Sequence, residues 1–306
     1  MLRPLLIKAV NLWGEIGKAP GWRYQFIEKH ADWMCKGIEK TRRLPNGCVM
    51  NCDLSDHVPR HLYFWGAYEP VESYIFTKLL RSGMNVVDAG ANIGQYTVLA
   101  GEAVGPSGKV YSFEPIRHNR ERASANVRAN HLDNVTLLEY ALWHRQETVD
   151  FGLESDFAGN FGSFGINAKG GDRVKALAKP LDHVVVELGS PHIDLIKMDI
   201  EGAELFALQG AAETLAAHHP TILIELNQHA CDRLNYKCSD IADYLVNEFG
   251  YSAWRLADDG SGLEPVTTTS DVQQANFVFS TAELPSEILR LPPHKTVLRW
   301  ARSGRT

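Results

Sequence analysis

No apolar run in the chain approaches the length of a membrane-spanning helix. The five cysteines among 306 residues are odd in number and not densely spaced, which excludes a disulfide framework and makes a reducing compartment, the cytoplasm, the expected location. Cys48 and Cys52 are separated by three residues, and Cys231 and Cys238 lie further on, so a structural zinc site of standard spacing is lacking as well. A basic surplus is also missing. The 31 lysines and arginines are outnumbered by 37 aspartates and glutamates, for a formal net charge of −6, which argues against a general nucleic-acid binder. Internal repeats and low-complexity tracts are absent, and nothing in the sequence sets an oligomeric state.

What is present is ordinary globular composition, 44% hydrophobic and 22% charged, enough for a sizeable core. The length fits one main α/β domain with an extension. The opening stretch "MLRPLLIKAVNLWGEIGK" has an apolar stripe broken by Arg3, Pro4 and Lys8, and reads as an amphipathic helix docked on the domain rather than a signal peptide. Residues 1–75 are expected to be a mostly helical extension packing on the core, 76–282 the main domain, and 283–306 a tail. The basic stretches Lys40–Arg43 and Arg299–Arg305 read as solvated surface.

From Met84 onward, short strands alternate with helices. The strands are expected at Asn85–Asp88, Lys109–Glu114, Val135–Glu139, Ile193–Asp199 and Thr221–Asn227, with helices over Gln95–Ala103, Ile116–Asn130 and Gly202–Ala217. This alternation implies βαβ units, a mainly parallel sheet and helices on both faces. "TILIEL" and "IDLIKM" are near-continuous apolar runs, as strands buried on both faces require. A helix near Ser239–Phe249, a strand near Tyr251–Leu256, the turn-rich "DDGSGLEP" and a last strand near Ala275–Ser280 complete a sheet of about seven strands. The interval 140–192 holds "ESDFAGNFGSFGINAKGGD", a Gly- and Phe-rich loop whose Phe157, Phe161, Ser163 and Phe164 are expected to cap an acceptor.

The stretch "NVVDAGANIGQYTVLAG" turns from strand to helix through Gly90 and Gly94. Such a turn lets backbone approach a ligand at a helix N-terminus. It is neither G-x-G-x-x-G nor a GK[ST] phosphate loop, so a nicotinamide dehydrogenase is excluded. It offers instead Asp88 at the strand end and Asn92 in the turn. Glu114 ends the next strand, 20 residues after Gly94, where an acid binds ribose hydroxyls. An ammonium-seeking carboxylate beside a ribose-seeking one describes a nucleoside joined to an amino acid, and S-adenosylmethionine is that molecule.

These residues, with "VYSFEP", "IDLIKMDIEGAE", "ILIELN", "GAYEP" and "PLDHV" in order over about Tyr63 to Asn227, resemble the FkbM family of S-adenosylmethionine-dependent methyltransferases. The resemblance implies a class I methyltransferase, Rossmann-like fold with a seven-stranded, mostly parallel sheet, its last strand antiparallel, beside the helical N-terminal extension. It also implies methyl transfer to oxygen on a sugar, glycolipid or secondary metabolite. Asp88, Gly90, Asn92 and Gly94 then fall on the cofactor loop, Glu114 on the ribose acid, and Tyr140 and Ala141 where adenine lies.

Methyl transfer needs an aligned acceptor oxygen, a proton acceptor and exclusion of water. "KMDIEGAE" supplies Asp199 at a strand end, then Glu201 and Glu204. The next strand brings Glu225, Asn227 and His229. Asp199, Glu201 and His229 are the candidate catalytic residues, with Glu204 read as favouring a helix N-terminus. Asp199, Glu225 and Asn227 form a candidate oxygen set for Mg²⁺. Two alternatives stay open: a non-catalytic S-adenosylmethionine-binding or scaffold protein, and N- or carboxyl methylation. A small-molecule or glycan acceptor is the expected partner.

Overall fold

The computed structural model describes residues 2–16, 20–153, 164–166, 173–267 and 272–304. The chain begins with helices α1 (Leu2–Ile16) and α2 (Pro20–Met34), a hairpin of strands β1 (Glu39–Arg43) and β2 (Val49–Asp53), and helices α3 (His57–Trp65) and α4 (Pro70–Leu79). There follow β3 (Asn85–Ala89), α5 (Gln95–Val104), β4 (Lys109–Phe113), α6 (Arg117–Ala129), β5 (Val135–Leu138), β6 (Ala141–Leu142), β7 (Glu147–Leu153), β8 (Phe164–Ile166), β9 (Arg173–Lys179), α7 (Leu181–Glu187) and β10 (Leu195–Met198). The remainder comprises α8 (Glu204–Gln209), α9 (Ala212–His218), β11 (Thr221–Asn227), α10 (Gln228–Asp232), α11 (Cys238–Asp243) with a π-helical turn over Tyr244–Glu248, β12 (Ser252–Leu256), β13 (Leu263–Val266), β14 (Gln274–Ser280), α12 (Ser286–Leu289) and α13 (His294–Arg302).

The central sheet has eight strands in the order β13-β12-β14-β11-β10-β3-β4-β5. The five from β11 to β5 run parallel, and the β11–β14, β14–β12 and β12–β13 pairings are antiparallel. The expected seven-stranded, mostly parallel sheet is therefore corrected to an eight-stranded mixed one. The additional strand, β13, overlaps the turn-rich "DDGSGLEP" and runs one residue past it. Its Pro265 and flanking glycines disguised it, and proline is tolerated there because β13 is an edge strand. A second correction concerns the interval 140–192, where β6, β9, β7 and β8 form a separate four-stranded sheet.

Side chains alternate across the central sheet because successive residues of a strand point to opposite faces. Val86, Leu195, Leu223 and Val278 join the apolar cluster shared with the N-terminal elements. Val87, Ile196, Ile222, Ile224, Phe277 and Phe279 join the cluster under α7 to α11. The expected helix over Gly202–Ala217 is broken into α8 and α9 at Gly210, where a Cβ would stand 2.1 Å from the Trp143 carbonyl oxygen.

The N-terminal elements include a hairpin where helix was expected. Its edge strand β2 is covered by α6: Val49 N–H donates to Asn130 Oδ1 at 2.7 Å and Asn51 N–H to Asn126 Oδ1 at 2.8 Å, which satisfies an otherwise open strand edge. Arginines tie the helices together through carbonyl oxygens. Buried Arg23 donates to Val10 O and Phe64 O, and Arg302 of α13 donates to Gly14 O. No helix among the described residues is long and apolar enough to cross a membrane. All five cysteines are free and buried.

Candidate active site

β3 ends at the floor of a crevice, and the chain then enters the left-handed region at Gly90, Asn92 and Gly94, with φ of 83°, 50° and 87°. Gly90 is required by both space and backbone: a Cβ would lie 1.9 Å from the Asp199 carbonyl oxygen. Gly94 caps α5 and packs on Ala123, whose Cβ would stand 3.2 Å from an added one. The resulting loop wraps Glu114. Asn92 N–H donates to Glu114 Oε2 and Ile116 N–H to Oε1, both at 2.8 Å. Burial pushes the Glu114 carboxyl up to about 7, with the two backbone donors working against that rise.

Asp88 is fully buried beneath this loop. Its Oδ2 accepts a 2.6 Å bond from the Thr97 hydroxyl of α5, and burial raises its carboxyl above the usual range.

At the far strand ends, Asp199 follows β10, and the chain reverses through Glu201 (φ 53°) and Gly202 (φ 97°). Three groups brace this reversal. Arg233 donates to Glu201 O at 2.7 Å, Tyr236 donates to Gly202 O at 2.9 Å, and Glu204 Oε1 accepts the Ile200 and Gly202 N–H groups at 3.1 and 3.2 Å. Glu204 is thus a buried loop clasp at the start of α8, in line with the helix-terminus reading.

Two charged residues missed by the sequence reading complete this side. Lys197, 5% exposed, lies over the Tyr96 ring with Nζ 3.4 Å from Asp199 Oδ2. Burial opposes its charge, but Asp199, Asp88 and Glu69 outweigh burial and raise its pKa. Glu69 caps α4 in a left-handed conformation and accepts a 3.2 Å bond from the Tyr96 hydroxyl. Burial, then repulsion by Asp199 and Glu225, pushes both Glu69 and Glu201 well above the carboxylate range. The same two causes, burial and then Asp199, hold Glu225 at about 7, and Gln274 donates to it at 2.6 Å.

Residues from both groups meet in one cleft. Of the expected residues, Gly90, Asn92, Glu114, Ala141, Asp199 and Glu201 line it, joined by Tyr68, Tyr96 and Lys197. Asp88, Gly94, Glu225, Asn227 and His229 are not part of its lining. Asn227 turns its amide oxygen to the Ala230 N–H as the cap of α10, and His229 is exposed on that helix. Phe157, Phe161 and Ser163 of the expected capping loop lie outside the described residues, and of Phe164 only its place in β8 is described.

A glycine turn wrapped on a buried strand-end acid, at the strand ends of five parallel strands extended by three antiparallel ones, defines a Rossmann-like methyltransferase of the S-adenosylmethionine-dependent class. The model of the methyltransferase FkbM domain matches residues 88–253, more than half of the chain, and the chain belongs to that family. A protein-L-isoaspartate O-methyltransferase 2 of Archaeoglobus fulgidus is 33% identical over 103 residues, 26% of this chain and 47% of that protein. A protein-L-isoaspartate O-methyltransferase of Methanothrix thermoacetophila is 39% identical over 59 residues, 19% of this chain and 28% of that protein. The match thus spans less than half the length of these curated relatives. Among solved structures, a methyltransferase FkbM from Methylobacillus flagellatus is similar at 21% identity, covering 74% of this chain and 53% of that one, with a TM-score of 0.46.

Proposed function

We propose that the chain transfers a methyl group from S-adenosylmethionine to a hydroxyl of a sugar, glycolipid or secondary metabolite, with residues 76–282 carrying the reaction. The cofactor supplies a methyl carbon activated by the sulfonium charge. The observation that carries this reading is the one cleft lined by Glu114 and Ala141 together with Asp199 and Glu201. Gly90, where any Cβ would strike the Asp199 carbonyl oxygen, lets the glycine turn and the Asp199 turn close on each other, so that both border the same cleft. Glu114 would hold the ribose hydroxyls, each of its oxygens retaining a lone pair beyond the one given to a loop N–H. Ala141 and Tyr140 would flank the base.

On the acceptor side, Asp199 Oδ would take the proton of the reacting hydroxyl. Lys197 would hold that carboxylate in place. Glu201, its carboxyl pushed upward by burial and by its acidic neighbours, would donate a hydrogen bond to a neighbouring acceptor oxygen. Tyr68 and Tyr96 would keep water out. The residues expected to hold Mg²⁺ do not fit that part as a set: Asn227 spends its oxygen on a helix cap, and neither it nor Glu225 lines the cleft.

The curated relatives carry the name of enzymes that act on isoaspartyl protein. A carboxylate acceptor would meet the Asp199 carboxylate in the same cleft, and repulsion between the two like charges favours the neutral hydroxyl. The test is calorimetric titration with S-adenosylmethionine, followed by radiolabelled methyl transfer to a panel of sugars and isoaspartyl peptides. Binding with transfer to sugars supports the proposal. Transfer to the peptides alone, or no cofactor binding by folded protein, overturns it.

A further inference from the structure

Away from the cleft, α3 carries His57 and His61 one turn apart, and Glu28 reaches them from α2. Residues four apart share a helix face, and the two imidazole centroids stand 4.0 Å from each other. His61 Nε2 lies 3.1 Å from Glu28 Oε1, and His57 Nδ1 lies 3.7 Å from Glu28 Oε2. The three ligating atoms all fall within 4.8 Å of one another. Their side chains are 27%, 28% and 16% exposed for Glu28, His57 and His61, so an ion has a way in.

We propose that Glu28, His57 and His61 bind a divalent transition-metal ion, Zn²⁺ foremost, which pins α2 to α3. Two imidazole nitrogens and one carboxylate oxygen are a zinc donor set that leaves a fourth position for water. The carboxylate is already oriented. Arg60 Nη2 holds Glu28 Oε2 at 3.2 Å, while its Nη1 donates to the Leu54 and Ser55 carbonyl oxygens, an outer contact of the kind that aims a metal ligand. The same guanidinium charge repels any cation at the site. Only an ion with strong affinity for imidazole overcomes that repulsion, so Zn²⁺ is selected over Mg²⁺, which prefers an all-oxygen set.

The site also has a structural reach. Both imidazole rings lie against Tyr68, with centroids 6.4 and 6.3 Å away, and Tyr68 lines the cleft. An ion here fixes the outer support of that wall.

The test uses the untagged full chain, stripped with a chelator and titrated with Zn²⁺. One equivalent is expected to bind and raise the melting temperature, with Mg²⁺ leaving it unchanged. His57→Ala, His61→Ala and Glu28→Gln should each weaken Zn²⁺ by about 100-fold or more, at least the loss seen when outer-shell partners of a metal are removed. X-ray absorption on the zinc-loaded parent gives a reading independent of whether the variants fold: a nitrogen and oxygen shell at about 2.0–2.2 Å with imidazole scattering is expected. Failure of the folded parent to bind, unchanged affinity in the folded double variant His57→Ala/His61→Ala, a shell without imidazole, or equal stabilisation by Mg²⁺ each overturns the proposal.

Discussion

At the Glu114 wall, each carboxylate oxygen receives a backbone N–H, from Asn92 and from Ile116. At the Asp199 wall, Asp199 and Glu201 line the cleft, Glu69 and Glu225 outside the lining add to the repulsion among the acids, and Lys197 supplies a buried positive charge. The first wall is built in advance to receive a ligand. The second is a crowded set of acids in which burial and mutual repulsion push the Glu69, Glu201 and Glu225 carboxyls upward. Preorganised hydrogen bonds suit tight, invariant recognition, whereas a cluster of proton-holding acids suits a proton-transfer step. On the proposed function the first wall takes the cofactor and the second the acceptor, and that division can be attacked residue by residue.

The largest effect is expected where the two walls touch. Gly90→Ala drives a Cβ into the Asp199 carbonyl oxygen and imposes a left-handed conformation on alanine. It should cost about 3 kcal/mol or more, seen as a large drop in melting temperature together with loss of cofactor binding. A parent-like melting curve would mean that the loop and the Asp199 turn are not in contact. Next comes Asp199→Asn, which keeps shape but removes the proton acceptor. Its kcat should fall by about 100-fold or more, with affinity for S-adenosylmethionine nearly unchanged. A loss of affinity without loss of kcat would move Asp199 to the cofactor wall.

The unequal legibility of the two walls in the sequence has a physical origin. The cofactor wall is local: Gly90, Asn92, Gly94 and Glu114 come from one βαβ unit, whose strand ends and turn residues announce themselves. Even there the direction of Asp88 is not local information, because a strand-end carboxylate can turn to the Thr97 hydroxyl of α5 as readily as into the crevice. The acceptor wall gathers residues from four separate segments. Lys197 did leave a signal, a charge inside an apolar strand two residues before Asp199 and hence on the same face. Glu69 left less, since only the fold brings α4 over the end of β10. The strand β13 and the second sheet were hidden by proline, glycine and short length, which local pattern cannot distinguish from turns.

A smaller effect sharpens the cofactor wall. Glu114→Gln should weaken S-adenosylmethionine about tenfold, the worth of a hydrogen bond to a charged group. Glu114 has a folded pKa of about 7 against an ordinary 4.5, so the folded chain holds the additional proton between those values. The apo-protein therefore loses stability as pH rises through that window, while cofactor affinity improves as the carboxylate ionises. Thermal melts at about pH 5 and about pH 8 should show a smaller fall in Glu114→Gln than in the parent.

The smallest effect is expected at His229, and it decides how far the acceptor wall extends. Histidine is the residue type best suited to a proton relay near neutral pH, and its place just after β11 made it a natural candidate. Yet β11 ends by handing its last residue, Asn227, to the Ala230 N–H. That cap starts α10 at once and turns His229 outward, exposed and apart from the cleft lining. A general base must come within hydrogen-bond reach of the proton it removes. His229→Ala should accordingly change kcat by less than about twofold, within the range of an ordinary surface substitution. A loss comparable to that of Asp199→Asn would require the start of α10 to unwind when acceptor binds, and the wall would then include the end of β11.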